Sequence, residues 1–151
     1  MFATIRNIIE GKNGKGGDAG GDWERKKQVA AGVLLLEAAH VDNDFSKEEQ
    51  AHIVSTLREK FALADDHVAE LLKLAEADRE ESVDLWQFTN LVNRQFSAEE
   101  KLMVMEDVWR IILLDGKLEE HEDQYAHKLA NLLRLSHEQL IAAKLKARKS
   151  I

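Results

Sequence analysis

The 151-residue sequence contains no cysteine and no proline. Without cysteine the chain forms no disulfide, no thiolate zinc site and no cysteine nucleophile, and it is compatible with a reducing compartment. We therefore expect a cytoplasmic protein. No apolar run approaches the roughly 20 residues that cross a bilayer, so we expect no transmembrane segment.

Basic residues are in the minority, with 21 Lys and Arg against 28 Asp and Glu and a formal net charge of -7. Nucleic-acid binding requires clustered Lys and Arg that contact phosphates, so we expect no nucleic-acid partner. The one basic cluster lies near the end of the chain: Lys144, Lys146, Arg148 and Lys149. Because the helix dipole favours cations in a last turn, this cluster predicts a helix end rather than a binding patch.

Glycine is scarce outside residues 11–21, GKNGKGGDAGG, which predict a flexible tether. The tether lacks the Gly-Lys-Ser/Thr ending and the preceding strand of a nucleotide-binding P-loop. It separates residues 1–10, whose apolar stripe predicts a short amphipathic helix, from residues 22–151. The second part predicts one all-helical domain.

From residue 22 onward, apolar residues recur at the 3.6-residue spacing of helices, and strand signals are absent. The fold class is therefore all-α, a compact bundle of about seven to eight helices. The expected helices cover about 23–41, 46–61, 65–77, 83–95, 97–114, 119–133 and 136–149. Three capping boxes mark helix starts, because each serine oxygen and the later Glu or Gln satisfy each other's backbone amides. The boxes are Ser46 to Glu49, Ser97 to Glu100 and Ser136 to Gln139.

Two stretches, 29–41 and 102–114, are apolar on nearly all sides and predict a buried central pair of helices. The remaining helices are amphipathic and are expected to face that pair. Trp86, Trp109 and Tyr125 fall on apolar stripes, so we expect them in the core rather than at a ligand site.

The chain contains an internal repeat. VDNDFSKEE at 41–49 aligns with LDGKLEEHE at 114–122, and FALADDHVAELL at 61–72 aligns with LRLSHEQLIAAK at 133–144. We predict two three-helix repeats related by a pseudo-two-fold axis, with the helix at 83–95 between them. Such a relation would bring the two acidic turns together.

The sequence resembles the bacterial tellurite-resistance TerB-like family over about residues 24–149. The resemblance lies in an Asp-Gly-x-apolar-x-x-x-Glu pattern after each apolar helix, with SVDLWQFTNLVN between the copies and LRLS downstream. Asn43 replaces the glycine in the first copy and tolerates a left-handed backbone better than most residues. The resemblance implies about seven helices, an acidic surface associated with divalent metal, and a link to tellurite and other stress responses. It also implies docking of an unidentified protein partner, since a similar domain is attached to membrane-anchored J-domain co-chaperones.

The acidic turns are the candidate metal site, since hard cations such as Ca²⁺ prefer carboxylate oxygens. The predicted ligands are Asp42, Asp44, Glu49, Asp115, Glu119 and Glu122. Helix capping and the helix dipole account for Glu49 and Glu122 without any metal. Asp42 and Asp115 gain less from those effects, so their repetition favours a cation.

Several alternatives accompany this hypothesis. An EF-hand is excluded because Lys47 and Ile53 occupy the positions of its glycine and its last glutamate. A di-metal carboxylate site would use Glu37-x-x-His40 and Glu49-x-x-His52, whose spacing places both ligands on one helical face. A further alternative is that the chain is a protein-interaction module that binds no metal. No nucleophile elbow is present, and we expect no enzymatic activity.

Overall fold

The computed structural model describes residues 6, 9, 19–42, 46–61, 65–76, 85–114 and 122–150. Seven helices run through these ranges, and no strand occurs in them. They are α1 (Ala19–Asp42), α2 (Lys47–Phe61), α3 (Asp65–Glu76), α4 (Leu85–Gln95), α5 (Ala98–Leu114), α6 (Glu122–Leu132) and α7 (His137–Lys149). The all-α prediction is confirmed.

The predicted central pair is confirmed as α1 and α5, which pack against each other. Residues 29–38 of α1 are all buried, as expected for a helix that has neighbouring helices on every side. On α5 the buried set contains one carboxylate among apolar side chains: Val104, Met105, Asp107, Val108, Trp109, Ile111 and Ile112. Ile9, from the predicted N-terminal helix, is buried in the same core.

Gly32 allows α2 and α3 to approach α1 closely. A Cβ atom on Gly32 would lie 2.9 Å from Leu57 Cδ1 and 3.3 Å from Leu71 Cδ1. A side chain larger than hydrogen would therefore meet the packed core. Gly32 therefore lies where side chains of α2 and α3 pack directly onto α1.

The prediction that Trp86 lies in the core is wrong, because its side chain is 64% exposed. The core stripe of α4 runs through Leu85, Phe88 and Leu91, and a helix turns by about 100° per residue, so Trp86 points away from that stripe. Trp109 and Tyr125 are buried as expected. Trp109 Nε1 donates a hydrogen bond of 3.2 Å to the Leu140 carbonyl on α7.

The three predicted capping boxes are confirmed. Ser46, Ser97 and Ser136 each accept from the amide three residues later through Oγ at 3.1 Å. Their own amides donate to the side chain of Glu49, Glu100 or Gln139. The start of α1 differs from the expectation: the helix begins at Ala19 instead of residue 23. Glycine weakens helices by only about 1 kcal/mol per residue, so the packing of the following turns overrides Gly20 and Gly21.

The α6–α7 connection ends α6 with a left-handed residue that is not glycine. Arg134 has φ 61°, its amide donates to Asn131 O, and the Leu135 amide donates to Ala130 O. These two bonds form a Schellman motif, in which glycine usually occupies the left-handed position. At the other end of α7, Lys146, Arg148 and Lys149 lie in the last turn, as the basic cluster predicts.

Within the described ranges, no helix combines the length and apolar character needed to cross a membrane. The pseudo-two-fold repeat stays a prediction.

Candidate functional site

Only one of the six predicted metal ligands, Glu49, has a described side chain. Its Oε1 accepts a hydrogen bond of 3.0 Å from the Ser46 amide, so it fulfils the capping role expected of it. Asp42 is the last residue of α1 and Glu122 is the first residue of α6, and their side chains lie outside the described part. Asp44, Asp115 and Glu119 also lie outside it. The structure therefore fixes the helix ends that carry the acidic turns.

Among the described side chains, no group of three or more His, Asp or Glu residues is arranged to hold a metal ion. Of the six predicted ligands, this observation bears on Glu49 alone. The Glu-x-x-His alternative is also only partly visible, since the side chain of His40 lies outside the described part. Glu37 is 1% exposed whereas His52 is exposed, so these two candidate ligands lie in different environments.

A buried carboxylate on α5, Asp107, forms a charged cluster with neighbouring helices. Asp107 is 1% exposed, and its Oδ1 accepts from Arg110 Nη1 at 3.3 Å. Lys27 Nζ on α1 lies 3.9 Å from Oδ2, which accepts no hydrogen bond from the described residues. The Arg110 guanidinium also stacks over Phe61 at the end of α2, 4.6 Å from the ring centroid. The cluster joins α1, α2 and α5.

Burial raises the pKa of Asp107 to about 6, although Lys27 and Arg110 act to lower it. Loss of water around the carboxylate therefore outweighs its two cationic neighbours. The cluster is absent from the sequence-based site prediction, yet it has a local signal. Asp107 and Arg110 are oppositely charged, three residues apart, and set in the apolar stretch 102–114.

A cavity of about 520 Å³ lies beside α4 and the α6–α7 turn. It is lined by three arginines, three carboxamides and one leucine: Arg6, Gln87, Asn90, Leu91, Asn93, Arg94 and Arg134. The lining contains no acidic residue among those described, although the chain as a whole has 28. The surface of this cavity is cationic in a chain whose net charge is negative.

Lys101 on α5 fixes one wall of this cavity. Its Nζ donates to Asn93 Oδ1 at 3.1 Å and to the Leu133 carbonyl at 2.9 Å. Asn93 Nδ2 in turn donates to the Leu132 carbonyl at 3.0 Å. Burial lowers the pKa of Lys101, and the positive charge of Arg134 lowers it further. The wall of α4 is thus tied to the turn that carries Arg134.

No pattern in the sequence predicts this cavity. Its lining comes from residue 6, from residues 87–94 and from residue 134, so no local motif joins them. The left-handed backbone of Arg134 is likewise invisible in the sequence, because arginine is not a residue that favours that conformation.

The fold defines a class: an all-helical domain with two buried central helices and capped amphipathic helices around them. The family profile for tellurite resistance protein TerB matches residues 28–145, which is most of the chain. The chain belongs to the TerB family. Comparison with curated proteins gave no significant match, and comparison with solved structures gave none either.

Proposed function

We propose that this chain is a non-enzymatic, cytoplasmic module of a tellurite or related stress response, and that its two acidic turns bind one divalent cation. Family membership supports the link to tellurite resistance. The proposed ligands are those predicted from the sequence: Asp42, Asp44, Glu49, Asp115, Glu119 and Glu122. The observation that carries the proposal is that the two turns follow the ends of α1 and α5, which pack against each other.

Contacts from the first half of α1 reach α5 and the segment just before it. Trp23, near the start of α1, packs edge-on against Phe96 just before α5, with ring centroids 5.4 Å apart. One turn later on α1, Lys27 approaches Asp107, which lies much farther along α5. The two helices pack against each other, and each ends where an acidic turn begins, at Asp42 and at Leu114. This packing supports the proposal that the two acidic turns lie close enough to share a cation.

Carboxylates brought to one position repel one another, and a cation between them removes that repulsion. Ca²⁺ accepts six to eight oxygen ligands in irregular cages, so carboxylates from two turns suit it. The chain has no cysteine, and a thiolate zinc site is therefore excluded. We propose Ca²⁺ or a similar hard cation as the ligand.

Calorimetric titration of Ca²⁺, Mn²⁺ and Zn²⁺ into the full chain tests this proposal. We expect binding by the unmodified chain, and at least tenfold weaker binding after Asp42→Asn with Asp115→Asn, since each turn then loses one of its three proposed carboxylates. A matched control is Asp65→Asn with Asp66→Asn, which removes the same charge from exposed positions in the first turn of α3. The control pair should bind as the unmodified chain does.

Thermal unfolding gives a second readout of the same binding. A cation at a hundredfold excess over its dissociation constant should stabilise the folded chain by about 2.7 kcal/mol. Absence of binding for every cation, or equal binding in the Asp42→Asn, Asp115→Asn variant, would refute the proposal. That result would favour an interaction module in which the acidic turns meet a basic partner surface without metal.

A further inference from the structure

The arginine-lined cavity beside α4 has the chemistry of an anion site. Guanidinium groups present planar pairs of N–H donors that match the oxygens of phosphate-like groups, and carboxamides add further donors. Within the described part of the chain, the side chains of Arg94 and Arg134 form no hydrogen bond or ion pair. Their donors are thus available to a ligand in the cavity.

The backbone of Arg134 is an independent sign of function. A residue with a Cβ atom in the left-handed region costs about 1 kcal/mol or more relative to glycine, which is the usual residue at this position of a Schellman motif. Such strain is concentrated at binding and catalytic sites, where the side chain has a use that offsets it. Here the strained residue places its guanidinium in the lining of the cavity.

The cationic wall is also held in place before any ligand arrives. Lys101 connects Asn93 on α4 to the Leu133 carbonyl, and Asn93 bonds the Leu132 carbonyl. Arg94 follows Asn93 and Arg134 follows Leu133, so these contacts fix the backbone next to both arginines. A fixed arrangement reduces the entropy that a ligand must overcome on binding.

We propose that this cavity binds a small molecule through an oxyanion group, held by Arg94 and Arg134 with the neighbouring carboxamides. The volume of about 520 Å³ lies within the range of ordinary small-molecule pockets, so the cavity has room for a free oxyanion or for a small molecule that carries one. Two sources offer this chemistry: a phosphate monoester, and the tellurite ion after which the family is named. None of the proposed cation ligands takes part, so either site can fail while the other stands.

Titration calorimetry with the full chain separates these sources. The probes are inorganic phosphate, glycerol 3-phosphate and sodium tellurite, each at about 50 mM salt because the arginines are open to solvent and screening weakens such contacts. We expect at least one probe to bind with a dissociation constant of about 1 mM or tighter. Because the chain has no cysteine, the tellurite titration measures reversible binding rather than thiol chemistry. Binding of phosphate probes assigns a phosphoryl ligand, and binding of tellurite alone assigns a tellurium oxyanion.

Two variants locate the binding. Arg94→Gln and Arg134→Gly should each weaken it about tenfold or more, as expected for loss of a charge-assisted contact. Arg134→Gly also relieves the left-handed backbone, so its melting temperature should be unchanged or higher, which separates lost binding from lost folding. Arg58→Gln removes one arginine from an exposed position on α2 and should bind as the unmodified chain does. Failure of all three probes to bind, or equal weakening in Arg58→Gln, would overturn the proposal.

Discussion

Replacing Asp107 by Asn tests whether the buried carboxylate on α5 lowers the stability of the fold at neutral pH. Asn keeps the size of the side chain and an oxygen that accepts from Arg110, but it carries no charge. Asp107 is 1% exposed, so its charge is largely removed from water. The substitution therefore isolates the free-energy cost of burying the ionised group from the packing of the helix.

The magnitude follows from the pKa of Asp107, which is about 6 in the folded chain against an ordinary value of 3.8. Between these pH values the folded state keeps a proton that the unfolded chain has released. Stability conferred by that proton is complete below pH 3.8 and is lost as the pH rises through about 6. The two values differ by about 2, which at about 1.4 kcal/mol per pKa unit corresponds to about 3 kcal/mol at pH 7.

Urea unfolding at about pH 4.5 and pH 7, applied to the unmodified chain and Asp107→Asn, measures this effect. Subtracting one protein from the other removes the titration of the shared carboxylates. We expect the unmodified chain to lose about 2 kcal/mol relative to the variant between these two pH values. Asp65→Asn, an exposed control on α3, should show no such change. A difference that is constant with pH would mean that Lys27 and Arg110 balance the loss of hydration, and one that grows in favour of Asp107 would mean that they outweigh it; either result would refute this reasoning.

Two further predictions concern packing and capping. Gly32→Ala should lower the free energy of unfolding by about 1–3 kcal/mol, because the new Cβ atom meets Leu57 Cδ1 at 2.9 Å and this overpacking outweighs the better helix propensity of alanine. Urea unfolding measures it, and Leu57→Val in the same chain should recover part of the loss. Ser97→Ala should cost about 1 kcal/mol by removing the cap of α5, whereas Ser55→Ala, exposed within α2, should change little. An equal effect of both serine substitutions would contradict the capping role.

The helices are predictable from the sequence because their signals are local. A 3.6-residue apolar period identifies a helix directly, and Ser-x-x-Glu or Ser-x-x-Gln marks its first turn within a residue or two. The start of α1 is less predictable because glycine propensity is a small term that packing of the later turns overrides. The prediction for Trp86 is wrong because adjacent residues on a helix point in directions about 100° apart. Trp86 follows the buried Leu85 in the sequence but lies on a different side of the helix.

The candidate sites are less completely predictable, for two physical reasons. The acidic turns are visible in the sequence because each is one contiguous segment, and Glu49 has the capping contact expected of it. The cationic cavity is assembled from separate segments by tertiary packing. No hydrophobic period or local sequence motif therefore predicts it. Asp107 is predictable in part. The sequence shows a charged residue within an apolar stretch, but it does not show that Lys27, 80 residues away, is its partner.

Three features of this chain lower local stability. Asp42 ends α1, where the negative end of the helix dipole disfavours a carboxylate by up to about 1 kcal/mol. Arg134 adopts a backbone that glycine would adopt at lower energy, and Asp107 is ionised in the core at neutral pH. Cation binding would offset the cost at Asp42, and oxyanion binding would explain why arginine occupies position 134. Asp107 lines no described cavity, and its contact with Lys27 joins α5 to α1. We propose that this contact helps to orient the helices that precede the two acidic turns, so that Asp107 has a positioning role in the proposed cation site rather than a ligand-binding one.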